Sequence, residues 1–164
     1  GEVNFLDDLQ KRVDIINAAG ADLLISIHLN AYYDDGNTSA ESVGGTTTYY
    51  CAEREFADKN LRFAQLVQER ILEALARLGY NARDRGVSPD SVLAEPGKPG
   101  KHLVLLGPCH ERCVRPSKMP GALSESLFIT HREEAKLLRR DDVLDALARA
   151  HLEAIEAYLS LIHI

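Results

Sequence analysis

The stretch Ala21-Asp22-Leu23-Leu24-Ile25-Ser26-Ile27-His28-Leu29-Asn30-Ala31 decides how this chain is read. Residues 23–27 are mostly apolar and read as a strand buried on both faces. A histidine and an asparagine follow at its end. In open α/β sheets, functional sites lie beyond the carboxyl ends of parallel strands. A neutral imidazole there is a metal ligand or an acid/base group. The competing reading of His28 is a core histidine hydrogen-bonded to backbone at a strand end.

Working outward, residues 5–19 predict a helix. Leu6, Leu9, Val13 and Ile16 recur at helical spacing, and Gly20 provides the stop. Residues 32–44 form a polar loop; its Asp34, Asp35, Asn37 and Glu41 miss the spacing of an EF-hand calcium loop. Residues 45–51 are β-branched and aromatic and predict a second strand. Residues 57–78 carry an apolar stripe of Ala64, Val67, Ile71, Leu75 and Leu78, hence a long helix closed by Gly79. Residues 83–101, with three prolines and three glycines, are expected to be mostly loop.

Further along, residues 102–106 predict a short strand and residues 107–120 another loop. Residues 122–125 predict a strand ending in Glu125. Thr130-His131-Arg132-Glu133 fits a capping box for a short helix through Arg139. Asp141 or Asp142 caps a last helix, with Leu144, Leu147, Ala148, His151, Leu152 and Ile155 along one face. Helices of this length between strands imply an α/β fold, a mostly parallel sheet flanked by helices on both faces.

Composition narrows the function classes. At 164 residues the chain is one domain with a real core. A formal net charge of −6 argues against sequence-independent nucleic-acid binding, which needs a basic surface. No apolar run approaches a membrane span. Three cysteines are too few for a disulfide scaffold. Cys51 stands alone, while Cys109 and Cys113 allow free thiols, a local disulfide or a metal site with His110.

Glu125 is the second candidate for chemistry. Small or apolar residues precede it, and Leu127-Phe128-Ile129 follow. A carboxylate in such a setting has its pKa raised and exchanges a proton near neutrality. Its competing reading is a solvated loop acid. His28 and Glu125 both fall at carboxyl ends of predicted strands, so a parallel sheet brings them to one edge.

With these residues in place, the chain resembles zinc-dependent N-acetylmuramoyl-L-alanine amidases, bacterial cell-wall hydrolases of the autolysin and cell-separation type. The resemblance covers residues 1–158, read as a partial catalytic domain. Arg12 and Asn17 look like the family's Arg…Asn helix, and residues 21–31 match its histidine strand. Residues 45–50 are similar to its Gly-x-x-x-Tyr-Tyr strand, Arg85-Gly86-Val87 to its Arg-Gly-Val turn, and Met119-Pro120-Gly121-Ala122-Leu123-Ser124-Glu125 to its Met-Pro-x-x-Leu-x-Glu segment. Phe128, Glu134, Leu137 and Leu138 continue the match.

The resemblance implies roles. His28 corresponds to the second histidine of a His, Glu, His zinc site, and Glu125 to the catalytic glutamate. Such a zinc activates water, and the carboxylate carries the proton to the departing amine. Asn30 and Arg85 are expected near substrate, Asn30 with a turn-forming alternative and Arg85 with a solvated-surface alternative. The partner implied is peptidoglycan, and the place secreted, periplasmic or in the cell wall. A monomer is expected.

The departures carry expectations of their own. Leu127 stands where the family usually has Gly, and His131 where it often has Asn. Nothing matches the family's first histidine and glutamate ligands, so the zinc site is expected to be incomplete and the chain inactive, with the first strand or strands of the sheet missing. His102, His110, His131, His151 and His163 are poor substitutes. Residues 159–164 read as a translated sequencing adapter, or else as an apolar tail finishing a helix. A catalytically dead peptidoglycan-binding or regulatory module is the alternative function.

Overall fold

In the computed structural model, which describes residues 5–93, 102–108 and 114–162, the histidine stretch forms strand β1, Leu24–Asn30. Helix α1, Phe5–Ala19, precedes it. Strand β2, Thr46–Tyr50, leads into helix α2, Ala57–Arg77. Strand β3, Asp84–Pro89, precedes a 3-10 turn at Asp90–Leu93. Strand β4, Gly121–Phe128, is followed by the short helix α3, Arg132–Leu137, and by α4, Asp141–Ile162. Cys109, His110, Cys113, His163 and the 94–101 part of the Pro/Gly-rich stretch lie outside the described residues.

The strands form one sheet in the order β1-β4-β2-β3. β1 runs parallel to β4 and β2 parallel to β3, while β2 and β4 meet antiparallel. Two parallel pairs therefore join back to back, and their carboxyl ends lie at opposite edges of the sheet.

Helices cover both faces. On one, α2 and α4 bury Phe63, Val67, Ile71, Leu75, Val143, Leu147 and Tyr158 against Ala122 and Leu127. The Phe63 and Tyr158 rings pack at 5.2 Å between centroids. On the other face, Ile16 of α1 packs on Leu24, Leu106, Met119 and Leu123. Asn17 pins α1 there: its amide donates to Pro116 O at 3.0 Å, and its oxygen accepts from Lys118 N at 2.9 Å.

Two expectations are corrected. Residues 84–89, expected as loop, form β3. Its own sequence is a poor strand former, and pairing supplies the order: Thr46 matches Asp84, and Thr48 matches Val87. The extra residue is taken up at Gly86, whose φ of 79° suits only glycine readily. Pro89 is tolerated because β3 is an edge strand. Residues 102–106, expected as a strand, instead fold as a turn, with Leu106 N and Gly107 N both donating to Leu103 O. Arg54 ties that turn down through Leu106 O at 3.1 Å and Gly107 O at 2.9 Å, so no strand partner is needed.

Candidate functional site

His28 and Glu125 are brought together. They are register partners on the parallel strands β1 and β4, so their side chains leave the same sheet face. Thr47 of β2 lies across from Glu125 and Tyr49 across from Leu123. The face nearest α1 thus carries two rows, Ser26-Leu123-Tyr49 and His28-Glu125-Thr47. A bulge between Glu125 and Phe128 opposite β1 turns Leu127, two residues after Glu125, into the α2/α4 core. Bulges that re-aim side chains are common beside active sites.

Glu134 of α3 braces that bulge. Fully buried, it accepts from Phe128 N at 2.7 Å, Gly45 N at 2.7 Å and Tyr80 Oη at 2.8 Å. A Cβ on Gly44 would come within 2.6 Å of its carboxylate, which accounts for glycine there.

Glu125 is the electrostatic centre of the row. Burial pushes its carboxyl up to about 7, with no cation opposing the shift. Its Oε2 is buried without a hydrogen-bond partner among the described residues. A carboxyl in that state takes or gives a proton near neutral pH. Tyr49 feels the same surroundings: burial and the Glu125 charge raise its hydroxyl pKa, while Arg85 lowers it.

His28 is exposed at one side of a cleft of about 360 Å3 lined by Leu9, Arg12, His102, Leu103 and Leu123. Its Nε2 lies 3.0 Å from Ser26 Oγ. A catalytic zinc takes three protein donors and leaves a fourth position for water. Among the described residues, no group of three His, Cys, Asp or Glu ligand atoms includes His28. The described residues therefore do not fit a complete catalytic zinc at His28.

The other expected residues are placed as follows. Asn30 turns its Oδ1 back to Ala31 N at 2.8 Å, the geometry of a turn residue. Arg85 donates to Gly44 O at 3.2 Å and lies 5.4 Å from the centre of the Phe128 ring. His131 caps α3 by accepting from Glu134 N. His151 is buried in the core, 2.8 Å from Ser124 Oγ and 2.6 Å from Leu147 O.

Sequence reasoning passed over Ser26, Tyr49 and the group Cys51, Asp90 and His102. The alternation of β1 carried a signal for Ser26, which must share a face with His28. Asp90 sits in what read as loop, and no spacing in the sequence joins it to Cys51 or His102. Burial pushes the Cys51 thiol up to about 11, so it is not a nucleophile at neutral pH.

Comparison with known proteins identifies the family and matches the fold. A protein-family profile described as N-acetylmuramoyl-L-alanine amidase matches residues 3–157. The endolysin of Bacillus phage SPP1 is 27% identical over 154 residues, covering 94% of this chain and 46% of the endolysin. The N-acetylmuramoyl-L-alanine amidase LytC of Bacillus subtilis is 30% identical over 150 residues, covering 92% of this chain and 24% of LytC. The crystal structure of an N-acetylmuramoyl-L-alanine amidase from Clostridium difficile 630 superposes with a TM-score of 0.65 at 27% identity, over 93% of this chain and 65% of that one. The chain thus spans less than half the length of these two curated relatives.

Proposed function

The chain belongs to the N-acetylmuramoyl-L-alanine amidase family, and from that premise we propose that the protein hydrolyses the amide joining N-acetylmuramic acid to L-alanine in peptidoglycan, with Glu125 moving the proton. The observation that carries this reading is the half-buried Glu125, whose Oε2 is buried without a partner among the described residues and whose carboxyl burial pushes up to about 7, in register with His28. Amide hydrolysis requires a proton to leave the attacking water and a proton to reach the departing amine, so Glu125 takes the first from the water and hands it on to the nitrogen. A carboxyl poised near the working pH serves both transfers.

We assign His28 as one zinc ligand. With two further donors, a zinc held there would supply a water of lowered pKa and a polarised scissile carbonyl. The described residues do not complete the three donors at His28, so these residues by themselves are proposed to be inactive. Arg85 spends one donor on Gly44 O and keeps others for a stem-peptide carboxylate. Asn30 shapes the chain beyond His28 at the cleft edge. The place of action is the cell envelope or outside it. Among the described residues, no helix is long and apolar enough to cross a membrane.

A second reading, a peptidoglycan-binding module without catalysis, is favoured by the incomplete donor set at His28 among the described residues. One assay separates the two. Purified peptidoglycan is incubated with the gene's full product, with and without chelator, and new amino termini and new reducing ends are both measured. The amidase reading expects free N-terminal alanine, suppressed by chelator, and no new reducing ends. Sedimentation with peptidoglycan without any release would support the binding module instead.

A further inference from the structure

We propose that Cys51, Asp90 and His102 form a second metal site, for a zinc-like divalent ion whose fourth position is left to water, separate from the His28–Glu125 row. The topology builds it. Tyr50 and Pro89 are register partners on the parallel strands β2 and β3. The next residue on each chain is Cys51 and Asp90, delivered side by side at the carboxyl ends of that pair. β2 opposes β4, so this is the sheet edge away from the carboxyl ends of β1 and β4. Cys51 lies four residues beyond Thr47, which faces Glu125, a separation of roughly 13 Å along an extended strand.

The donor atoms are already gathered. One ligand atom from each of the three side chains lies within 4.8 Å of the others. Cys51 and Asp90 are buried, and the His102 side chain is 7% exposed. Zinc bonds of about 2.3 Å to sulfur and about 2.0 Å to nitrogen, at the tetrahedral angle, set those atoms about 3.5 Å apart. Cys51 Sγ and His102 Nδ1 are 3.5 Å apart. Asp90 Oδ1 is 2.9 Å from the same nitrogen, and a shift of about 0.4 Å brings it to tetrahedral spacing. Mixed sulfur, nitrogen and oxygen donors suit zinc rather than calcium or magnesium.

The surrounding contacts are those of a metal-bound histidine. His102 Nε2 lies 3.2 Å from Glu53 Oε2. A proton shared there leaves the Nδ1 lone pair facing Cys51 and Asp90, the carboxylate–histidine–metal arrangement that fixes ring and tautomer. Asp90 Oδ2 accepts from Leu103 N at 3.0 Å, which aims Oδ1 at the cluster. An ion here staples the 102–108 turn, whose His102 and Leu103 line the His28 cleft, to the ends of β2 and β3.

The test is Co2+ titration of the 164-residue chain carrying Cys109→Ser and Cys113→Ser, so that Cys51 is its one thiol. The expected result is one equivalent bound with thiolate-to-cobalt charge-transfer absorption, displaced by Zn2+. Cys51→Ser should abolish the absorption. Glu53→Gln, a change at an exposed side chain that spares the core, should weaken Co2+ binding by about 10–100-fold. Binding without the absorption, its survival in Cys51→Ser, unchanged affinity in Glu53→Gln, or no binding by the folded chain each overturns the site. None of these results bears on the Glu125 reading, because a site at His28 contains no thiol.

Discussion

Glu125 is half-buried and His151 buried, and their effects on stability run in opposite directions with pH. The Glu125 carboxyl stands at about 7 against an ordinary 4.5. Between those values the folded chain holds a proton that the unfolded chain has released, so stability falls as pH rises through the window. Solvent reaching the carboxyl screens part of the effect, leaving roughly 1 kcal/mol. Glu125→Gln should therefore be more stable than the parent by that amount above pH 7, with the gap closing below about pH 4.5 in urea melts. An active-site acid held at a cost to the fold behaves this way; equal stability at every pH would mark Glu125 as an ordinary solvated acid.

His151 is lowered from 6.5 by burial. Its Nδ1–H donates to Leu147 O, and its Nε2 accepts from the Ser124 hydroxyl, a pairing that requires the neutral ring. Its contribution is present above pH 6.5 and is lost as pH falls below it. His151→Gln keeps a donor and an acceptor but cannot titrate, so its stability should stay flatter than the parent's below pH 6.5. Parallel curves for the two proteins would contradict that assignment.

At the scale of elements, the β2–β3 junction depends on one side chain of α2. Gln68 is buried and donates to Thr46 O at 3.0 Å and Asp84 Oδ1 at 2.7 Å, while its oxygen accepts from Thr48 Oγ1 at 2.9 Å. Gln68→Ala leaves buried partners unpaired and should cost about 2–3 kcal/mol by chemical denaturation; a loss below about 0.5 kcal/mol would mean that β3 is held without it.

This junction also marks the limit of what the sequence conveys. Periodicity made α1, α2 and α4 legible, and the apolar run made β1 legible as far as Ile27. The strand continues to Asn30 because β4 pairs with it through Phe128, information carried by the partner. β3 was illegible for the same reason. The 102–106 run looked like a strand because it is apolar, yet it serves as a capping turn whose Leu106 fills the α1-side core. His28 and Glu125 were legible as polar breaks in apolar runs, but both lie inside their strands rather than at the expected ends, since β1 continues to Asn30 and β4 to Phe128. The Cys51, Asp90 and His102 group was not, since only the β2–β3 register unites it.

At the scale of the molecule, the antiparallel junction between β4 and β2 keeps the two candidate sites apart, the His28 and Glu125 row toward the carboxyl ends of β1 and β4, and Cys51, Asp90 and His102 at those of β2 and β3. β1 ends the sheet among the described residues and leaves Ile27 58% and Leu29 43% exposed. Exposed apolar residues on an edge strand invite pairing, so Ile27→Lys should reduce any self-association seen by light scattering at high concentration. Scattering that is present and unchanged in the variant would place the contact elsewhere.

If Glu125 carries the proton in amide hydrolysis, the rate of N-terminal alanine release from purified peptidoglycan separates the gene's full product from its Glu125→Gln variant. Release by the parent is expected, with a rate lower by about 100–10,000-fold in the folded variant. A variant that cleaves at the parent's rate would take the proton transfer away from Glu125.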